Sequence, residues 1–253
     1  MTLHWRSAWV TGASSGIGRS ISLELANQNT KVYASARSLD KLLELNKLNS
    51  NIQAVDLDVS KIEDVREKTK FFLEENNIPD LVILNAGVSK LFTLDKIDEK
   101  YDEIVSSMDI NYFGVINCLA VLLPPMMERK KGHIVIMSSV AGYRGLPNSI
   151  AYSPSKAALI NLAEIMRNEL SPMGIKVSII NPGFVDTDAT RVNKFRMPGI
   201  VTVEYAAKKI MKDLKKSRYE VAFPFFFTHF MKFLRLLPNN LFFFIIRKFV
   251  WKR

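Results

Sequence analysis

The chain has 253 residues, 48% of them hydrophobic and 24% charged, enough to bury one substantial core without disulfide or metal staples. Its single cysteine, Cys118, excludes an internal disulfide and suits a reducing compartment, where it reads as a small core residue. The net charge of +10 is uneven: residues 1–190 hold 20 Lys/Arg against 22 Asp/Glu, whereas residues 191–253 hold 15 against three, so any anionic partner is expected at the C-terminal quarter.

The opening residues MTLHWRSAWV have no basic n-region, long apolar core or small-residue cleavage site, and no cleaved signal peptide is expected. No stretch reaches the roughly 18 uninterrupted apolar residues that argue for a membrane span, and a cytoplasmic location is the expectation. Ala8-Trp9-Val10 predicts a first strand that ends at Thr11-Gly12, and Ile17, Ile21 and Leu25 give the following segment a helical period. Between them lies Gly12-Ala13-Ser14-Ser15-Gly16-Ile17-Gly18. Gly12 permits a tight turn, Gly16 lets backbone approach a pyrophosphate, and Gly18 lets helix pack on strand, while the helix N-terminus offers N–H groups to phosphate. The spacing departs by one residue from the usual dinucleotide fingerprint, but its place between strand and helix is the one that motif requires.

The next strand, Lys31-Val32-Tyr33-Ala34, leads into Ser35-Ala36-Arg37-Ser38. Ala36 stands where an acid would bond the ribose 2′-OH of NAD, and Arg37 follows, a guanidinium able to fork onto the 2′-phosphate of NADP. NADP(H) is therefore expected, with Ser14, Ser35 or Ser38 as further donors; the plainer alternative leaves Arg37 a solvated charge. Further apolar runs follow at Leu81–Leu84, His133–Met137 and Ile175–Ile180, with charged helical segments such as Lys61–Glu75 and Asp98–Cys118 between them. Strands alternating with helices predict a doubly wound α/β fold with a parallel sheet, in one catalytic domain over residues 1–223. There are no internal repeats and no low-complexity linker.

Tyr152 and Lys156 stand four apart in a helical segment, which stacks them on one face. A phenol is a poor acid/base near neutral pH, and a neighbouring ammonium is expected to lower its pKa. Ser139 follows the Ile134–Met137 strand, whose C-terminal end borders the crevice of such a sheet, and its hydroxyl suits an oxygen on which charge develops; Ser138 would point the other way.

The run Thr11–Gly18, with Asn85-Ala86-Gly87, Asn111, Ser139, Tyr152-x-x-x-Lys156 and Asn181-Pro182-Gly183 in order, resembles the short-chain dehydrogenases/reductases over about residues 6–222. The resemblance implies a Rossmann-type fold and a catalytic set of Asn111, Ser139, Tyr152 and Lys156. Tyr152 would exchange a proton with a carbonyl/alcohol oxygen, Lys156 would hold the nicotinamide ribose, and Asn111 would hold a relay water. It implies that Asp58 and Val59 hold the adenine, that Asn85, Ala86 and Gly87 line the adenosine ribose side, and that Pro182, Gly183, Val185 and Thr187 position the nicotinamide. Asp58 has a second reading as a cap of the helix beginning near Ser60. A homodimer or tetramer is expected, and no metal site.

Residues 188–200 read as a lid, with Arg191, Lys194, Phe195, Arg196 and Met197 either solvated or facing an anionic substrate or membrane. After a last strand at Arg218–Phe223 comes an extension, 224–253, holding nine of the sixteen Phe and no acid. On a helical wheel Phe226, Phe230, Phe233, Leu234 and Leu237 share one face and Lys232 and Arg235 the other, and Pro238-Asn239-Asn240 breaks the helix. That pattern predicts an interfacial helix on the cytoplasmic face of a membrane, with burial in an oligomer contact or against the core as the alternative. His229 has no second ligand nearby, and no groove-reading motif supports nucleic-acid binding. The leading expectation is an NADPH-dependent reductase of a lipophilic carbonyl compound. A soluble reductase of 3-oxoacyl groups on acyl carrier protein and a non-catalytic nucleotide-binding scaffold are the alternatives.

Overall fold

The computed structural model describes residues 4–74, 77–191 and 197–250. The chain runs β1 (Ser7–Thr11), α1 (Gly16–Ala26), β2 (Lys31–Ala36), α2 (Leu39–Leu48), β3 (Ile52–Asp56), α3 (Ile62–Glu74), β4 (Leu81–Leu84), α4 (Tyr101–Met108) and α5 (Gly114–Glu128). It continues with β5 (Gly132–Met137), α6 (Tyr152–Leu170), β6 (Ile175–Pro182), α7 (Asp188–Arg191), α8 (Val203–Leu214), β7 (Glu220–Phe223), α9 (Phe225–Leu236) and α10 (Asn239–Ile245). The seven strands form one parallel sheet in the order β3-β2-β1-β4-β5-β6-β7. The expected doubly wound α/β fold is the one found.

Both faces of the sheet are covered, which is why its strands read as continuous apolar runs. Successive side chains still divide between two cores. Trp9, Tyr33, Val82, Ile134 and Val177, in register across neighbouring strands, fill the face covered by α3, α5 and α6. Val10, Ala34, Ile83, Val135 and Ile180 fill the face covered by α1, α2 and α8. The strand order reverses between β1 and β4, and the crevice at their C-terminal ends is where a doubly wound sheet takes a ligand.

The helix expected from Asp98 to Cys118 is a longer assembly. Residues 101–128 run as α4, one π-helical turn at Asp109–Phe113, and α5. This run is long and apolar enough to cross a membrane by composition, a signal that uninterrupted-run counting did not register. Its apolarity is that of a core helix, because Val115, Cys118, Leu122 and Met126 are buried against the sheet. α3 matches the expected Lys61–Glu75 segment up to Glu74; Glu75 lies outside the described residues.

The tail is part of the same core. Met231 and Leu234 of α9, with Phe242 and Ile246 of the second helical segment, are buried in the cluster that holds Trp9 and Tyr33. The wheel expected from the sequence is corrected in two respects. Leu234 turns inward with Thr228 and Met231 instead of lying beside Phe226. Lys232 is not a solvent-facing cation, because it forms an ion pair with Glu220 of β7. The aromatic face of the wheel, Phe226, Phe230 and Phe233, is exposed.

Candidate active site

The glycine loop fills the crevice between β1 and β4. Thr11 Oγ1 accepts from the amides of Asn85 (3.0 Å) and Ala86 (3.1 Å), and Asn85 Nδ2 donates to the carbonyls of Thr11 (2.9 Å) and Gly12 (3.1 Å). Gly12 has φ +66°, and a Cβ there would lie 2.7 Å from Ala86 Cα; at Gly18 it would lie 2.4 Å from the Gly12 carbonyl oxygen. Neither position tolerates a side chain, so the loop stays low and the start of α1 opens upward into the crevice. Ser15 takes the N-cap position of α1 without a side-chain capping bond, which leaves first-turn amides for an anion. Ser14, Ser15, Gly16 and Ile17 all line the same cavity. These features fit a dinucleotide pyrophosphate.

At the adenosine end Ala36, Arg37, Ser38, Asp58 and Val59 line the cavity. Arg37 is exposed. Ser35, expected from the sequence as a further donor, also lines the cavity, and its buried hydroxyl accepts from Trp9 Nε1 at 2.6 Å. Asp58 Oδ1 accepts from the Ser60 amide (3.1 Å) and hydroxyl (2.7 Å), an Asx turn ahead of α3; because α3 begins at Ile62, Asp58 does not cap the helix itself, and it still borders the cavity. Partial burial pushes the Asp58 carboxyl up. The Ser60 bonds and the charges of Arg37 and Lys61 outweigh it and hold the carboxyl below its ordinary range.

The four residues of the expected catalytic set converge. Tyr152 opens α6 and Lys156 follows one turn later, with Nζ 5.6 Å from the Tyr152 ring centre. Lys156 Nζ donates to the Met137 carbonyl at 2.9 Å. Ser139 lines the same cavity as Tyr152; its hydroxyl donates to the Pro182 carbonyl at 3.4 Å and receives the Ala141 amide at 3.2 Å. Ser138 points the other way and donates to the Lys156 carbonyl at 2.8 Å, tying α6 to β5. Asn111 sits in the π-helical turn, fully buried. It donates to the Val88 carbonyl (3.0 Å) and Ser155 Oγ (2.9 Å) and accepts the Val88 amide (2.7 Å). A Cβ at Gly87 would lie 3.0 Å from Asn111 Oδ1 and 3.4 Å from Lys156 Nζ, so glycine there keeps open the gap between them.

One electrostatic expectation is reversed. Burial pushes the Tyr152 phenol above its ordinary value, and the Ser139 side chain opposes this only in part. Burial also pulls the Lys156 ammonium down to about 8. The ammonium is turned to the Met137 carbonyl and does not depress the phenol; removal from water favours the neutral form of each group.

The segment after β6 folds back over the glycine loop. Thr187 Cγ2 would lie 3.2 Å from a Cβ at Gly16, Val185 pairs with Val201 in an isolated bridge, and Thr190 Oγ1 accepts the Thr187 amide. Pro182 and Gly183 lie beneath, where a Cβ at Gly183 would be 2.8 Å from the Phe227 ring. Of the expected lid, Arg191 pairs with Asp186 (3.0 Å) and Asp188 (3.2 Å), so it is not a free anion ligand. Lys194, Phe195 and Arg196 lie outside the described residues. No group of three potential metal ligands occurs among the described residues.

Sequence reasoning did not anticipate that the tail builds a wall of this cavity, which encloses about 1000 Å³. Phe227, Phe230, Met231 and Leu234 of α9 line it, with Ile246 and Phe249 beyond α10. Two devices hold the wall. Glu220 takes Lys232, the Tyr143 hydroxyl and Asn181 Nδ2 (2.8 Å); burial pushes this carboxyl up, and those three partners hold it below its usual range. Arg144, on the loop after β5, donates to the carbonyls of Arg235 (3.1 Å) and Leu237 (3.2 Å) and to Asn239 Oδ1 (2.6 Å), with its guanidinium 4.3 Å over the Phe242 ring. The concentration of phenylalanine after residue 220 was the available signal.

A profile of the short chain dehydrogenase family matches residues 6–196. An uncharacterized oxidoreductase of Myxococcus xanthus is 36% identical over 244 residues, spanning 95% of this chain and 96% of its own length. A 3-oxoacyl-(acyl-carrier-protein) reductase of Staphylococcus epidermidis is 34% identical over 191 residues, 73% of this chain and 77% of its own. A short-chain dehydrogenase of Burkholderia cenocepacia, solved in complex with NADP, superposes with a TM-score of 0.82 at 24% identity over 100% of both chains, a likeness of fold.

Proposed function

The chain belongs to the short-chain dehydrogenase family, and on that premise we propose that it is an NADP(H)-dependent oxidoreductase that reduces a lipophilic carbonyl compound, such as a long-chain keto-lipid, acyl ketone, steroid or retinoid, to its secondary alcohol. The observation that supports this reading is the single cavity in which Ser139, Tyr152 and Lys156 face a largely apolar wall supplied by α9. The nicotinamide, when bound, supplies hydride to the carbonyl carbon. The Ser139 hydroxyl donates to the carbonyl oxygen and steadies the charge that builds there. Tyr152 gives that oxygen its proton, and Lys156, across the gap at Gly87 from Asn111, returns a proton to the phenol and holds the ribose hydroxyls. Removal of water from this end of the cavity keeps the phenol protonated, the form that reduction needs.

A pH asymmetry follows. The Tyr152 phenol stays protonated through neutral pH, so kcat/KM for reduction is expected to be flat there and to fall as pH rises past about 8, where Lys156 loses its proton. Oxidation of the alcohol needs the phenolate, and its kcat/KM is expected to climb with pH over the same neutral range. Initial rates in both directions from pH 6 to 10 check this.

Arg37 is the basis of the NADP assignment. Arg37→Ala removes a charge-assisted bond to the 2′-phosphate and is expected to raise the KM for NADPH about tenfold to a hundredfold while leaving that for NADH unchanged. Equal effects on both cofactors would refute the assignment. The substrate class is tested with a ketone series of rising chain length. Each methylene buried in the wall is expected to raise kcat/KM about two- to fourfold until the cavity is filled. The Staphylococcus epidermidis relative favours a second reading, reduction of 3-oxoacyl thioesters on acyl carrier protein. Turnover of the carrier-bound thioester but not of free long-chain ketones would select it.

A further inference from the structure

The tail has an inner face packed on the core and an outer face of bare aromatic surface. Phe226 is 87% exposed and Leu236 80%, and Phe233, Phe243 and Phe244 are exposed beside them. Phe230 and Phe249 belong to both faces: each is more than half exposed and each also lines the cavity. The apolar surface is thus continuous with the cavity mouth. Soluble surfaces seldom leave so much contiguous aromatic area uncovered. The charges that accompany it have one sign. Arg235, Arg247 and Lys248 are exposed, no acid follows Glu220 in the sequence, and Glu220 is already paired with Lys232.

We propose that the outer face of α9 and α10 docks on an anionic lipid bilayer, with the phenylalanine rings at the headgroup–acyl boundary, the cations on lipid phosphates, and the cavity mouth opening into the lipid. A bilayer of this kind supplies both things the face lacks, an apolar layer and negative charge. A second copy of the chain fits less well. Two-fold pairing through this face would set Arg235, Arg247 and Lys248 against their own counterparts with no acid to neutralise them. The docking stands apart from the reductase reading; only the delivery of substrate through the mouth rests on it.

Flotation of the full chain with vesicles of phosphatidylcholine, with and without phosphatidylglycerol, tests the proposal. The wild type is expected to float with the phosphatidylglycerol vesicles, less so as salt rises. The variant Phe226→Ser/Phe233→Ser/Phe244→Ser changes only side chains that are already exposed and away from the cavity, so its melting temperature should match the wild type while its vesicle affinity falls at least about tenfold. Arg247→Gln/Lys248→Gln is expected to weaken binding to phosphatidylglycerol vesicles about twenty-fivefold, at roughly fivefold per cation, with no effect on phosphatidylcholine alone. Failure of the wild type to float with phosphatidylglycerol at low salt overturns the proposal, as does equal flotation of the triple variant. A wild-type oligomer by light scattering that the triple variant dissolves would reassign the face to self-association. Vesicle binding without NADPH turnover would retire the reductase reading and leave the docking intact.

Discussion

Tyr152→Phe is expected to lower kcat for carbonyl reduction about a thousandfold while leaving NADPH affinity and the melting temperature near wild type. In the proposed mechanism the phenol, which lines the cavity, is the proton donor, and a positioned acid of this kind contributes roughly a hundredfold to ten-thousandfold. Ser139 is the side chain that acts on its ionisation, so removal of the hydroxyl disturbs little else. The ring still covers Lys156 after the change. Because Ser139 and Tyr152 act on the same oxygen, Ser139→Ala added to Tyr152→Phe should cost much less than the product of the single effects. Steady-state rates with NADPH titrations and thermal melts of the three variants measure this. Turnover by Tyr152→Phe within tenfold of wild type would place the proton donor elsewhere.

Removal of residues 224–253 is expected to unfold the protein instead of detaching an appendage. Met231, Leu234, Phe242 and Ile246 are buried in the main core, and losing the burial of four such side chains, with the core surface they cover laid bare, costs about 8 kcal/mol at about 2 kcal/mol each. That matches the whole stability of an ordinary domain. A soluble 1–223 fragment with the melting temperature of the full chain would contradict this packing. The gentler version is Arg144→Ala, which strips three hydrogen bonds from the end of α9 and the turn into α10, together with the contact over Phe242. These bonds are partly exposed, so a loss of about 2 kcal/mol is expected in denaturant unfolding. The KM for long-chain ketones should rise as the wall loosens.

The parts of the site legible in the sequence are those in which local chemistry decides the structure. Gly12 and Gly18 are demanded by backbone within a few residues or by the adjoining strand, Tyr152 and Lys156 meet through the period of one helix, and Ser139 sits at a strand end. What was not legible depends on partners distant in sequence. The direction of the Tyr152 shift is set by enclosure, and by Lys156 finding the Met137 carbonyl on β5. The bond between Ser35 and Trp9 forms only when β1 and β2 lie side by side. Arg191 is the exception, since its acids, Asp186 and Asp188, stand only five and three residues before it. The tail was the hardest case. A segment with apolar residues on both of its packed and open faces does not mark which one is buried, and Lys232 reads as solvated until Glu220 of β7 is brought beside α9.

The proposed reaction is hydride transfer from NADPH to a greasy carbonyl in the cavity lined by Ser139, Tyr152 and Lys156. Its most direct measurement is a reaction of the full chain with NADPH deuterated at the transferable C4 position and a long-chain ketone, followed by mass spectrometry of the extracted lipid. The expected product is a secondary alcohol carrying one deuterium on the carbinol carbon, formed by the wild type and nearly absent with Tyr152→Phe. Unlabelled ketone recovered from the wild type across the chain-length series, or label appearing equally with Tyr152→Phe, would contradict it.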